Sequence, residues 1–381
     1  MKRRAVAPRA EWQRRVEAQG LVFHTTDHAG VYWGEDACYE LSPAEADTLL
    51  AATGELHQMC VAAVGRVVRD RRYAELGFDA PTADLVERSW NHRDPALYGR
   101  LDLVFGPDGI PKLLEYNADT PTSLLEAAAI QWMWREDVAP DADQANTLHD
   151  RLIARWRELR PRLGAKVHFA CVPDLEDDMT VGYLRDTAEQ AGLATAAIAM
   201  ADLGWDPVRR QLVDLEGRAI HSLFKLYPWE GLVTDHLAPV LVHVPALWLE
   251  PAWKLVLANK GILPILWQLF PGHPNLLPAA REPTAAIGDA WVKKPLFGRE
   301  GANVTIHAPG VAEATGGPYS ERGYVYQQYA DLGAHDGMHP VIGSWLIGDA
   351  PAGLGIRETA SRITSNTARF VPHIVVSAAA P

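Results

Sequence analysis

Two short apolar runs around a turn dominate the hydrophobic pattern of this chain. Arg100-Leu101-Asp102-Leu103-Val104-Phe105 reads as a strand, Gly106-Pro107-Asp108-Gly109 as a hairpin turn, and residues 112–117, ending in Glu115-Tyr116-Asn117, as the returning strand. Side chains alternate across a strand, so Glu115 and Asn117 share a face, and pairing of the two runs brings Asp102 to the same sheet end. Hard oxygen donors beside Arg100 suit a magnesium–phosphate site. A polar hairpin followed by a capped helix satisfies the same local pattern. Asp119 then reads as the N-cap of a helix over about residues 122–135.

The rest of the chain alternates between helical and extended patterns. Trp12 and Val16, at i and i+4, place a helical start within residues 1–20. Pro43 and the apolar positions Leu49, Leu50, Leu56, Val61, Val64 and Val67 predict a long helix over 43–71. Further helices are expected over 81–91 and 144–160. An apolar strand at 166–172, an acidic helix from Asp174 through about 191 and a strand at 194–200 follow. They predict an inserted, mostly parallel α/β subdomain over 165–235. Residues 238–281 mix short helices with prolines. The tail returns to strands at 290–294, 303–307, 324–329, 341–347 and 370–376. The fold class is thus α/β (α+β), one unit over 1–381 carrying that subdomain.

Composition removes several function classes. The 381 residues carry a net charge of −12, which argues against a nucleic-acid binder driven by phosphate contacts. Cys38, Cys60 and Cys171 are scattered, with neither disulfide nor metal spacing, and point to a reducing cytoplasm. Met1-Lys2-Arg3-Arg4 lacks the apolar core of a secretory signal, and no apolar stretch is long enough to span a bilayer. The 14 histidines show no H-E-x-x-H spacing, so zinc hydrolysis is not indicated.

A second constellation lies downstream. Val292-Lys293-Lys294-Pro295 ends a strand in a lysine, and Gly298 and Gly301 in the following loop let backbone N–H groups approach phosphate oxygens. The spacings match neither a Walker loop nor a dinucleotide fingerprint. An ordinary hairpin with exposed lysines fits the same residues. Asn259-Lys260-Gly261 adds another lysine beside glycine. Gly353-Leu354-Gly355-Ile356-Arg357 adds an arginine able to stabilise charge in phosphoryl or acyl transfer.

Taken together, in order, these motifs resemble the synthetase domain of glutathionylspermidine synthetase, an ATP-grasp carboxylate–amine ligase. The resemblance runs from about residue 12 to 376. It rests on Arg100-x-Asp102, Leu114-Glu115-Tyr116-Asn117-Ala118-Asp119, Asn259-Lys260-x-Ile262-Leu263-Pro264, Val292-Lys293-Lys294-Pro295-x-x-Gly298-Arg299-x-Gly301 and Tyr326-Gln327-Gln328. Stand-alone proteins of the same family also share Tyr227-Pro228-Trp229-Glu230 and Leu269-Phe270-Pro271-Gly272-His273.

The resemblance implies ATP between two strand-rich lobes, with Lys260 and Lys294 on its phosphates and Gln327 and Gln328 on the strand near the adenine. It implies magnesium on Asp102, Glu115 and Asn117, with Arg100 and Arg357 stabilising the phosphoryl group and an acyl phosphate. Thr120, Thr122, Glu176, Asp177 and Asp178 fall at substrate-facing positions. Glutathione-like peptides and polyamines are the implied small-molecule carboxylate and amine. The bifunctional family members also carry an N-terminal cysteine amidase, which is not expected here. A non-catalytic ATP-binding protein of this fold, or a small-molecule kinase, is the alternative.

Overall fold

The computed structural model describes residues 1–26, 30–319, 322–366 and 368–377. The predicted hairpin forms, and it is the edge of a five-stranded antiparallel sheet. The strand order is Arg369–Val371, Ala350–Thr359, His339–Ile347, Tyr98–Phe105, Pro111–Asn117. Arg100 sits opposite Asn117 and Asp102 opposite Glu115, and the turn closes with Gly109 N–H donating to the Gly106 carbonyl at 3.0 Å. Gly343 lies opposite Asp102 on the neighbouring strand. A Cβ there would come within 2.7 Å of Arg100 Cδ, so glycine makes room for the arginine.

A second antiparallel sheet faces the first across a cleft. It is ordered Ala279–Ala280, Tyr324–Gln328, Trp291–Pro295, Thr305–Ala308, Val311–Ala314. A third sheet is parallel, ordered Leu247–Leu249, Ser222–Leu226, Val167–Cys171, Thr195–Ala199. Its strands therefore run past residue 235. The helix Leu175–Gln190 connects Val167–Cys171 to Thr195–Ala199 as a crossover, which is how parallel neighbours must be joined.

The helix Pro43–Arg69 shows why the core forms where it does. Ser42 and Glu45 make a reciprocal capping box, and Pro43 occupies the first turn, where its missing N–H costs nothing. Leu49, Leu56, Cys60, Val64 and Val67 are buried in one core with Leu101, Leu103 and Tyr116 of the site hairpin. Each large apolar side chain buried there contributes roughly 1.5–3 kcal/mol. The long helix thus backs the sheet that carries the site.

Several expectations need correction. The first residues form a strand, Lys2–Ala5, paired to Ala37–Leu41, and only Trp12–Glu17 is helical. Ala37–Leu41 and Ser222–Leu226 carry no alternating pattern because every strand position except Glu40 is buried. The helix expected from 122 begins at Leu124, passes through a π-helical turn at Glu126–Ile130 and continues through Val138. Asp119 does not cap it. Its carboxylate accepts from Lys225 Nζ at 2.7 Å and from the backbone N–H of Trp229 at 2.7 Å, at the start of a different helix 110 residues on.

Candidate functional site

The two antiparallel sheets enclose a cleft of about 570 Å³. One wall presents Arg100, Asp102, Glu115, Asn117 and Arg357; the facing wall presents Lys294, Gln327 and Gln328, with Lys260, Gly298 and Gly301 at the same end. Thr120, Thr122, Glu176 and Asp177 line a third side. Residues separated by up to 257 positions are thus gathered at one place. Asp178 is the exception: its Oδ1 accepts from Cys171 Sγ at 3.3 Å and it does not line the cleft. One helical step after Asp177 turns it onto another face of the helix.

The arginines converge on one carboxylate. Arg100 Nε donates to Asp102 Oδ1 at 2.7 Å, and Arg357 Nη2 donates to Asp102 Oδ2 at 3.0 Å. Arg100 Nη1 also donates to the Thr122 carbonyl at 2.8 Å. Asn117 Nδ2 donates to Asp102 Oδ2 and to Glu115 Oε1, both at 3.2 Å, so the amide joins the two carboxylates. A half-turn of the amide would present Asn117 Oδ1 beside them, giving three neighbouring hard oxygen donors. Among the described residues no three His, Cys, Asp or Glu side chains form a metal cage. Two carboxylates and an amide nevertheless fit magnesium, which keeps waters and takes its remaining oxygens from substrate phosphates.

The lysines are held ready by neutral and charged partners. Lys260 Nζ donates to the Gly298 carbonyl at 2.6 Å and lies 3.0 Å from Glu115 Oε2. Lys294 Nζ donates to Gln327 Oε1 at 2.7 Å and to the Leu114 carbonyl at 3.0 Å. Gln327 completes its bonding by donating to the Leu113 carbonyl at 2.9 Å, so its amide fixes Lys294. Gly301 has φ +69°, and a Cβ there would lie 2.6 Å from the Thr364 carbonyl oxygen. Only glycine fits that loop position.

Charge in the cleft is unevenly distributed. Burial alone would raise the Glu115 carboxyl, but Lys260 and Lys294 outweigh it and bring its pKa to about 2. Burial pushes the Lys294 ammonium down to about 8 despite the pull of Glu115. On the third side, burial and then the neighbouring Glu176 and Asp174 raise Asp177 to about 7. Burial likewise raises Glu176, against a hydrogen bond from Thr122. Both stand in the first turn of Leu175–Gln190, where Asp174 caps the helix through Glu176 N–H at 3.0 Å. The positive end of the helix offsets part of their mutual repulsion.

Some cleft residues had no role assigned from sequence. Arg299 Nε donates to Glu230 Oε1 at 3.2 Å, and its Nη2 donates to Thr120 Oγ1, tying the glycine loop to the third wall. Asp174, Glu230, Glu300 and Phe23 also line the cleft. Arg299 and Glu230 lie inside the matched motifs, and that was the only signal for either of them.

Known proteins resemble this chain over most of its length. The family profile described as "Glutathionylspermidine synthase preATP-grasp" matches residues 3–376. A Haemophilus influenzae protein named provisionally as an acid–amine ligase is 41% identical over 360 residues, covering 91% of each chain. The trypanothione synthetase of Crithidia fasciculata is 31% identical over 83% of this chain and 53% of its own length. The bifunctional glutathionylspermidine synthetase/amidase of Escherichia coli is 30% identical over 89% and 59%. The chain thus spans little more than half of those two longer relatives. A solved structure of a glutathione synthetase-like effector from Globodera pallida superposes with TM-score 0.61 over 96% of both chains at 11% identity, a likeness of fold. This chain belongs to the glutathionylspermidine synthase family.

Proposed function

We propose that this protein is an ATP- and magnesium-dependent ligase that joins a carboxylate to an amine through an acyl phosphate. One observation carries the reading: a single cleft holds Arg100 and Arg357, Lys260 and Lys294 and a convergent oxygen-donor set on opposite walls, with the half-buried carboxylates of Glu176 and Asp177 beside them. A carboxylate oxygen is a poor leaving group at neutral pH, and phosphorylation by ATP removes that obstacle. The step demands positioning and charge neutralisation more than a protein nucleophile.

Each residue then has a task. Lys260 and Lys294 neutralise the ATP phosphates, and Gly298 and Gly301 let the loop backbone approach them. Gln327 orients Lys294, and Gln328 lies on the strand beside the base. Magnesium, held by Asp102, Glu115 and Asn117, supplies further neutralisation of the phosphates when bound. Arg100 and Arg357 receive the substrate carboxylate and stabilise the oxyanion formed when the amine attacks. Thr120 and Thr122 line the carboxylate's path. Glu176 and Asp177 attract the protonated amine, and Asp177, raised to about 7, accepts its proton. The relatives' names suggest a glutathione-like peptide as the carboxylate and a polyamine as the amine.

Incubation of the full chain with ATP, magnesium, glutathione and spermidine tests the reading. ADP release that requires both co-substrates, with a product lighter than their sum by one water, is expected. A stable phosphorylated product without amine incorporation points instead to a kinase. Tight ATP binding without turnover across a broad carboxylate and amine panel points to a non-catalytic binder.

A further inference from the structure

Behind the Thr120–Thr122 edge of the cleft lies a buried chain of three side chains that the reaction scheme does not use. Tyr32 Oη lies 2.9 Å from Ser123 Oγ and 2.8 Å from Glu126 Oε1. All three residues are buried, Tyr32 to 6%, Ser123 to 4% and Glu126 to 2% exposure. Ser123 has φ +67°, a left-handed conformation costly for a residue with a Cβ. It directly follows Thr122, whose carbonyl is held by Arg100. Glu126 opens the π-helical turn Glu126–Ile130, and such turns concentrate at functional sites.

We propose that Glu126, Tyr32 and Ser123 form a hydrogen-bonded relay that holds the strained Thr122–Ser123 backbone and so positions Arg100 for the substrate carboxylate. The proposal rests on the ligase reading for the identity of that substrate. Its logic is the directionality of hydroxyl donors. With Glu126 ionised, Tyr32 donates to the carboxylate and Ser123 donates to Tyr32. With Glu126 protonated, every donor reverses: Glu126 donates to Tyr32 and Tyr32 donates to Ser123. The charged groups acting on Glu126 and Tyr32 are Arg100 and Glu176, and Arg357 acts on the pair through Tyr32. Burial, outweighing the hydrogen bonds to its carboxylate, lifts Glu126 to about 7, so the reversal falls within the working pH range. Loss of a proton from Glu126 also adds negative charge close to Arg100, which weakens the arginine's hold on an incoming carboxylate. These are positioning residues: none of the three lines the cleft.

The test uses the full chain, its Tyr32→Phe and Glu126→Gln variants, and glutathione with spermidine as the probe pair. In the parent, KM for glutathione rises several-fold between about pH 6 and about pH 8 while KM for ATP rises by no more than about twofold, the share Lys294 contributes. E126Q loses that rise. Y32F, which keeps the ring and removes the one linking hydroxyl, lowers kcat by about tenfold or more with KM for ATP within about twofold. Infrared spectroscopy supplies a readout independent of turnover: a buried carboxylic-acid band titrates near neutrality, is absent in E126Q and is shifted in Y32F. Parent-like kinetics in both variants, or an infrared band that neither variant alters, overturns the relay. An inactive parent whose band behaves as expected rejects this substrate pair and leaves the relay supported.

Discussion

Lys260 Nζ lies 3.0 Å from Glu115 Oε2, so a cation proposed for ATP and a carboxylate proposed for magnesium neutralise each other across the cleft. Binding of magnesium-ATP exchanges this pairing for one with the ligand, Lys260 turning to the phosphates and Glu115 to the cation. Lys260→Met therefore weakens ATP binding by about tenfold or more in calorimetry. It also removes one of the two cations holding Glu115 down. The Glu115 pKa lies below its ordinary 4.5, so its pairing stabilises the fold above that value and loses the contribution as pH falls toward about 2. K260M raises the Glu115 titration seen by carboxyl NMR, and a titration left unmoved refutes the coupling.

Lys294 supplies a prediction at the opposite end of the pH scale. Its folded pKa, about 8, lies below the ordinary 10.5, so the free protein loses this positive charge as pH rises through about 8. ATP affinity is expected to fall across that range. Stability moves the other way: the folded state binds fewer protons than the unfolded one between about 8 and 10.5, so burial of Lys294 costs less there. Lys294→Arg, which stays charged, removes the alkaline fall in ATP affinity.

Arg357 separates catalysis from binding. It donates to Asp102 and stands beside Arg100. Arg357→Ala is expected to cut phosphate release by about 100-fold or more while ATP affinity stays within about twofold. Equal loss of both, measured by single-turnover release and equilibrium binding, contradicts its assignment to the acyl centre.

Asp177, as the proposed proton acceptor, is expected to set the acidic limb of the rate profile. Its raised pKa, about 7, means that the proton-accepting form appears as pH rises through neutrality, so kcat increases with pH there. Asp177→Asn abolishes that limb. A limb that persists in D177N assigns the proton acceptance elsewhere.

The Asp119–Lys225 pair carries structure, with both side chains at 1% exposure or less. Lys225→Met alone leaves a buried carboxylate without its cation and costs about 3–5 kcal/mol in urea unfolding. A double replacement, Lys225→Met with Asp119→Asn, recovers much of that loss. A single variant as stable as the parent shows that the pair is not coupled.

The sequence made the hairpin legible because it is a local object: two apolar runs, a turn and alternation determine that Asp102, Glu115 and Asn117 meet. Arg357 and the lysines reach the same cleft by strand pairings between residues far apart, and no local period encodes those; only the ordered motif set pointed there. Asp119 failed for the complementary reason. Its position before a helix looked like a cap, whereas its partners, Lys225 and Trp229, come from a region more than a hundred residues downstream. Asp178 failed because three consecutive acids on a helix cannot all face one cleft. Tyr32 and Glu126 carried no signal, since a lone tyrosine and a lone glutamate acquire meaning only when packing brings them into contact.

Transfer of oxygen from the substrate carboxylate tests the account most directly. Glutathione labelled with heavy oxygen in its carboxylates is incubated with the protein, ATP, magnesium and spermidine, and the released phosphate is analysed by mass spectrometry. Activation as an acyl phosphate predicts one labelled oxygen in each phosphate, formed in step with the amide. Unlabelled phosphate accompanying amide formation contradicts it.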